Sequence, residues 1–277
     1  LLLPALSSAK EKANSIRCLN NLRQITMRYK MVIDTDQGRF GYGYQQNGWA
    51  PELYAQTAQG QWMAKDWGMT NLGWICPSAP ERLTNNRPRS QIGYPAQWYP
   101  GATKAAWVTD GYWGPWWFGA IDNSGRPPHR AGSYAQNSWL GSGWWYWSPD
   151  VNTPGYPERF RAEGDIQYPS QTPAFADGVN GLWWGGAYWN GPRATDVPAS
   201  NLQTGGWPQP FGMSWFTIPR HGSRPSNPAT NALPNQKLPG AINMAFYDGH
   251  AEQVKLERLW RLYWHRDYKI PPKRPGL

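Results

Sequence analysis

LLLPALSSAKEKANSIRCLNNLRQITMRYKMVI, residues 1–33, is the stretch that decides the fold. Pro4 is compatible with a helix if it stands in the first turn, where its missing N–H would be unpaired in any case. From there, Leu6, Ala9, Ala13, Ile16, Leu19, Leu22, Thr26, Tyr29 and Ile33 recur in steps of three or four, the spacing of one helix face. Lys10, Glu11, Lys12, Arg17, Arg23 and Arg28 occupy much of the remainder. DTDQG (34–38) supplies turn residues and a glycine stop, so the helix is expected to end near Asp34. The opening leucines are too short to span a bilayer, which takes about 18 or more apolar residues in a row.

Working outward, composition sets the class. The chain has 277 residues, enough for one large domain or two small ones, with 30 Gly and 27 Pro that argue for many turns and short elements. Its 20 Trp and 15 Tyr are expected to build a core from aromatic rings rather than from Leu, Ile and Val. Net charge is +9, but Lys and Arg are scattered, dense only in residues 10–30 and 255–274, so a nucleic-acid partner is not expected.

Further along, LGWICPSAP (72–80) reads as a strand running into Cys76, preceded by a short helix from Met63. DIQYPSQTPAFADG (165–178) reads as a loop, a short strand over Ala174 to Ala176 and an Asp-Gly turn. AINMAFYDGHAEQVKL (241–256) is the best hairpin: strands Ala241 to Tyr247 and His250 to Lys255 about Asp248-Gly249, a pair that favours a type I′ turn. KLERLWRLYWH (255–265) has helical spacing and is stopped by Pro271 and Pro272.

These segments carry a resemblance. Leu-Leu-Leu-Pro-Ala-Leu followed by Cys18-Leu-Asn-Asn-Leu-Arg-Gln resembles the N-terminal helix of type IV pilin-like proteins. More narrowly, it resembles the bacterial group whose pilin-type helix precedes a domain named for His, nine residues, then Asp-Gly. Gly38-Arg39-Phe40, Cys76-Pro77-Ser78, Ser133 to Leu140, Pro169 to Gly178 and the ending LWRLYWH with PPKRPG are similar to the same group. The sequence departs from it at the eponymous motif: 26 residues, not nine, separate His221 from Asp248. The polar, Pro-rich insertion SRPSNPATNALPNQKLP (223–239) reads as an expanded surface loop.

The resemblance implies an α+β fold with a pilin-type helix (1–36) packed on a globular head (37–277) that has an antiparallel sheet and long Trp-, Gly- and Pro-rich loops. It implies that the sequence begins inside the family's apolar segment, with leader and processing site outside it and membrane contact only before assembly. It also implies a non-enzymatic role as subunit of an extracellular filament on a bacterial surface, a helical homopolymer assembled through Leu1, Leu2, Leu3, Pro4 and Leu6. A minor pseudopilin of a type II secretion system and a carbohydrate-binding surface protein are the alternatives. In a secreted chain two cysteines make one bridge, so Cys18 and Cys76 are expected as a disulfide or as two buried thiols. With 57 residues between them, a bond would contribute on the order of 4 kcal/mol in the chain-entropy picture.

Chemistry-bearing motifs are few. There is no GxSxG elbow and no Asn-x-Ser/Thr sequon. Asp177, His221, Asp248 and His250 lie at Asp-Gly or His-Gly turns, where a hard cation such as calcium would find carboxylate and backbone oxygens, or where the side chains simply stabilise the turns. DTDQG (34–38) opens like a calcium loop but lacks the closing glutamate. No cofactor is otherwise expected. The clusters Trp113/Trp116/Trp117, Trp144/Trp145/Trp147 and Trp183/Trp184/Trp189 read as core, as subunit contacts, or as stacking platforms for surface glycans.

Overall fold

A computed structural model describes residues 2–40, 44–45, 48–49, 58, 61–62, 66, 73–79, 107–109, 130–140, 158–178, 191–203, 205 and 212–277. Helix α1, Leu2–Thr35, is followed by β1 (Tyr44–Gln45), β2 (Gly48–Trp49), β3 (Trp107–Thr109), β4 (Arg130–Gly132), β5 (Tyr134–Gln136), β6 (Pro173–Asp177), β7 (Ala241–Phe246) and β8 (Ala251–Lys255). β1 pairs with β2 and β3 with β4, while β5-β6-β7-β8 form a four-stranded antiparallel sheet in that order. The α+β class is therefore as expected.

The helix forms as its sequence predicts, with Pro4 in the first turn. It ends when Gln37 takes a left-handed φ of 57° and Gly38 N–H reaches back to Ile33 O at 3.0 Å, a Schellman-type close that satisfies a terminal carbonyl. Gly38 and Phe40 then bond to the 161–163 segment: Glu163 N–H donates to Gly38 O (2.8 Å) and Phe40 N–H to Arg161 O (3.0 Å).

α1 lies across β6, β7 and β8. Its buried face is Cys18, Leu22, Ile25, Thr26, Tyr29 and Ile33. The C-terminal half of the predicted face is right. The N-terminal half is not: Leu6, Ala9, Ala13 and Ile16 are exposed, and the helix enters the head through Ser15 and Cys18 instead. Ser15 is held by Asn243, whose Nδ2 donates to Ser15 O at 2.9 Å. Below the helix, Tyr29 meets Phe175 edge-on (5.4 Å between centroids), Trp62 (5.7 Å) and Phe40 (6.4 Å), and Trp74 meets Phe175 (6.0 Å). Every residue of β6 and β7 is buried, so both faces of these strands are covered.

Three local expectations change. Residues 73–79 before and after Cys76 form turns and bends rather than a strand. The hairpin turn is a three-residue loop. Gly249 alone takes a left-handed φ (95°), its N–H donates to Phe246 O (2.9 Å), and Phe246 N–H donates to His250 O (2.9 Å), so β8 starts at Ala251 rather than His250. The C-terminal helical repeat is a six-residue 3-10 helix, Leu256–Arg261, not an α-helix. The inserted 223–239 segment is mostly exposed, as expected, but it docks Ala232 and Leu238 inward and hydrogen-bonds to residues 200–203. The short helix expected from Met63 lies outside the described residues.

The second half of the core is aromatic. Trp139, Trp260 and Trp264 are buried, and each indole N–H donates to a carbonyl: Pro192 O (2.9 Å), Asp196 O (2.7 Å) and Leu259 O (2.8 Å). His265 packs between Trp139 (4.9 Å) and Tyr268 (5.0 Å), with its Nδ1 buried and unpartnered. Burial first, aided by Arg193 and opposed by Asp267, holds His265 neutral and lowers its pKa to about 4. The unfolded chain takes up this proton near pH 6.5 and the folded chain only near 4. The contribution is thus intact above pH 6.5 and lost as pH falls toward 4, by up to about 3 kcal/mol. Thermal unfolding followed from pH 7 to pH 4 should show that slope, and His265→Phe should flatten it; an unchanged slope in the variant would refute the assignment.

Candidate metal centre

Four segments converge where α1 enters the head. Cys18 comes from α1, Cys76 from the 73–79 loop, Asp177 from the end of β6, and His221 from a bridge beside the start of β7. All four are buried, and one ligand-type atom from each lies within 4.8 Å of the others.

Local structure explains each placement. Residues alternate across a strand, so Phe175 and Asp177 share the face that α1 covers. Tyr134 stands directly opposite Asp177 in the β5–β6 register. Gly178 then turns under β5, its N–H donating to Ser133 O at 3.0 Å, in space so tight that an added Cβ would sit 2.5 Å from the Ala135 Cβ. His221 is fixed by a two-way bridge, its N–H to Ala241 O and Ala241 N–H to its own O, both 2.8 Å.

The geometry is compact. His221 Nε2 lies 3.1 Å from Asp177 Oδ2 and 3.5 Å from Cys76 Sγ. Cys18 Sγ is 3.8 Å from both Asp177 oxygens. Asp177 also receives Arg220 Nη1 (3.3 Å, on Oδ1) and the Asn243 backbone N–H (2.8 Å, on Oδ2). Arg220 in turn donates to Ser133 O (2.5 Å) and Gly178 O (3.1 Å), so its fork is spent on this corner. Asn21 Nδ2 donates to Tyr134 Oη at 3.4 Å.

Electrostatics follow from burial and charge. Burial would raise the Asp177 pKa, but His221, Arg220 and the Asn243 N–H hold it below the usual carboxylate value. Burial would lower that of His221, but the Asp177 carboxylate overrides it and lifts it to about 9. The thiols split. Burial and then Cys76 push Cys18 up, while Cys76, despite its burial, is brought down to about 7 by the Cys18 hydrogen bond and by His221. Without an ion, the site therefore favours a charged carboxylate, an imidazolium and one thiolate-leaning sulfur in a buried space.

This is not the geometry of a nucleophilic relay. Such a relay uses opposite ring nitrogens, one toward the nucleophile and one toward the acid. Here Cys76 and Asp177 both meet Nε2. A reactive cysteine also needs some exposure, and both sulfurs have none.

The expected site residues sort clearly. Cys18 and Cys76 come together, as two buried thiols. Asp177 and His221 join them, whereas Asp248 and His250 sit on the exposed hairpin turn at the far end of β7, paired with each other at 2.6 Å. A donor set with two sulfurs and an imidazole does not suit calcium, which takes oxygens. Arg220, Asn243 and Tyr134 were not legible as site residues; the only hint is that Arg220 adjoins His221 in sequence. Leu6 is exposed, Leu2 to Pro4 are helical, and the side chains of Leu1 to Pro4 lie outside the described residues, as do Trp113, Trp116, Trp117, Trp144, Trp145, Trp147, Trp183, Trp184 and Trp189.

A comparison with protein-family models, one with curated proteins and one with solved structures each find no match to this chain.

Asp177→Asn strips the carboxylate from between Arg220 and His221 and leaves a buried cation without its counter-charge. It should cost about 3–5 kcal/mol in urea unfolding. Asp248→Asn, on the exposed turn, should cost no more than about 1 kcal/mol. Equal costs would show that the buried carboxylate is not special.

Proposed function

We propose that the chain is a structural, pilin-like subunit of an extracellular filament on a bacterial surface. It self-assembles through α1 and through contacts between heads, and it catalyses nothing. The observation that carries the reading is the outer face of α1. Leu6, Ile16, Met27 and Met31 are 68%, 59%, 54% and 68% exposed. At 100° per residue they fall within one stripe, shared with exposed Ala9 and Ala13 and interrupted by Asn20 and Gln24, on the side opposite Cys18, Leu22, Tyr29 and Ile33. A helix that only roofed the sheet has no need of four large exposed apolar side chains there.

Two apolar stripes on one helix fit a helix with two neighbours: its own head and another helix. The occupant proposed for the outer stripe is α1 of a second copy. The inner face is fixed to the head while residues 5–13 stand clear of it, so the contact is head-to-tail rather than self-complementary. Contacts of that kind repeat along a helical filament. Small residues at Ala9 and Ala13 allow close approach of the two backbones. The resemblance of residues 1–24 to pilin-type helices supports the same reading. Among the described residues no helix is long and apolar enough to cross a membrane.

The test is assembly on the native cell surface. Ile16→Glu with Met27→Glu should abolish filaments seen by negative-stain microscopy while leaving the unfolding midpoint of the purified chain within a few degrees of the parent. A photo-crosslinker at Met27 should trap a second copy of this chain through its helix. Crosslinks to a different protein only, or filaments that persist in the double variant, would overturn the proposal.

A further inference from the structure

We infer that Cys18, Cys76, Asp177 and His221 form a closed, structural zinc site that fastens α1 to the head. This site does not rest on the filament reading: it follows from the geometry of the buried cluster alone.

Four features of the cluster support it. The first is the donor set. Two thiolates, one imidazole and one carboxylate are ligand types that zinc takes in tetrahedral sites. The second is distance. With zinc–sulfur bonds near 2.3 Å and zinc–nitrogen or –oxygen bonds near 2.0–2.1 Å, a tetrahedral ion spaces its ligand atoms about 3.3–3.8 Å apart. The cluster shows 3.1 Å (His221 to Asp177), 3.5 Å (His221 to Cys76) and 3.8 Å (Cys18 to Asp177). All four ligand atoms lie within 4.8 Å of one another, the compass of a single tetrahedral ion.

The third is direction. One imidazole nitrogen, Nε2, faces both a sulfur and a carboxylate oxygen. An Nε2 lone pair aimed between two other donors is the arrangement that a shared ion needs. The fourth is charge. Zinc with two thiolates and one carboxylate carries a net charge of minus one, and Arg220 on Asp177 Oδ1 brings the buried assembly to neutrality. Arg220 and the Asn243 N–H also orient Asp177, the supporting role that groups behind metal ligands play.

The site is structural rather than catalytic. All four positions come from the protein, all are buried, and no position is left for water or substrate. On binding, Cys18 and Cys76 give up their protons to solvent, and zinc stays divalent, so no oxidant or reductant enters. The ligands come from four separate stretches of chain, so the ion ties together the helix, the 73–79 loop, β6 and the His221 bridge.

A Cys18–Cys76 disulfide would use the same sulfurs and exclude the ion, so the two are resolved by one experiment. The full chain is purified from zinc-supplemented cells without reductant or chelator. Elemental analysis should give stoichiometric zinc, and X-ray absorption at the zinc edge should give two sulfur and two nitrogen or oxygen neighbours. Cobalt exchanged into the chain should show the visible bands of a tetrahedral site with a thiolate charge-transfer band. A strong chelator should lower the thermal midpoint, and zinc should restore it. His221→Cys should retain metal and His221→Leu should lose it. If both variants fail to fold, the wild-type stoichiometry and absorption spectrum still decide. An intact mass showing the disulfide with no zinc would overturn the proposal. So would a reduced chain that takes up neither zinc nor cobalt.

Discussion

The carboxylate of Asp177 is the constraint on which the rest of the structure depends. It is fully buried at the end of β6, beneath the helix. A charge in that position costs several kcal/mol in lost hydration unless the protein supplies partners. The chain supplies them from every side: Arg220, His221, the Asn243 amide and the Cys18 sulfur. These partners come from three different elements, so satisfying one carboxylate fixes the 219–222 segment, β7 and α1 relative to β6. Apolar packing beneath Tyr29 and Leu22 supplies most of the attraction between helix and sheet, but it is tolerant of sliding. The polar corner is not, because a shift of an ångström strands a buried cation.

What was legible in the sequence was local. The helix could be read from its start to within a residue or two of its end, because Pro4 in the first turn and DTDQG beyond the last one act on their own neighbours. The Asp-Gly hairpin was placed correctly for the same reason, although Asp248 keeps a negative φ and only Gly249 crosses to the left-handed side. The buried face of the helix departs from the sequence expectation in its first half for a geometric reason. Steps of three turn 300° around the axis, so each one moves a stripe back by 60°. The chain Ile16, Leu19, Leu22 contains two such steps in succession, and it crosses from the outer face to the inner one. One run of three- and four-residue steps thus joins two separate stripes. The signal that would have separated them is Cys18, which lies in register with Leu22, Ile25 and Tyr29 and far around the axis from Ile16.

The metal-type cluster was illegible for a different reason. Its members are dozens of positions apart and belong to no short motif, so nothing in their spacing ties them together. Asp177 and His221 were visible as turn residues and the cysteines as a pair, but only the fold puts the two pairs in one place. The tryptophans show the same limit in reverse. Their abundance predicted an aromatic core, and the described ones form it, yet their second service came only with the structure. Trp139 and Trp260 each donate an indole N–H to a carbonyl in an irregular segment, and Trp264 donates to Leu259 O in the 3-10 helix. In a chain so rich in Gly and Pro, many backbone carbonyls have no strand or helix partner. A ring that fills the core and also caps such a carbonyl meets both needs with one side chain.

The position of the cluster along α1 bears on how such a subunit would carry tension. If neighbouring copies grip the outer stripe and residues 5–13, a pull on the filament reaches the head through the helix. An apolar contact held under load from one end opens by peeling, one turn at a time, starting where the free part meets the bound part. That junction is Ser15 to Cys18. The deeper contacts at Leu22, Tyr29 and Ile33 are protected as long as the first turn holds. A link to three other segments at Cys18, with Asn243 gripping the Ser15 carbonyl one turn earlier, stands at the point where peeling would begin. Polar and coordinative bonds are directional and short, and they resist the first displacement better than a hydrophobic contact, whose force per unit travel is small. The sheet then shares the load, because Asp177 lies on β6, Asn243 on β7, and His221 is bridged to β7 at Ala241. The helix is thus anchored where it enters the head, and the aromatic floor packs beneath its later turns.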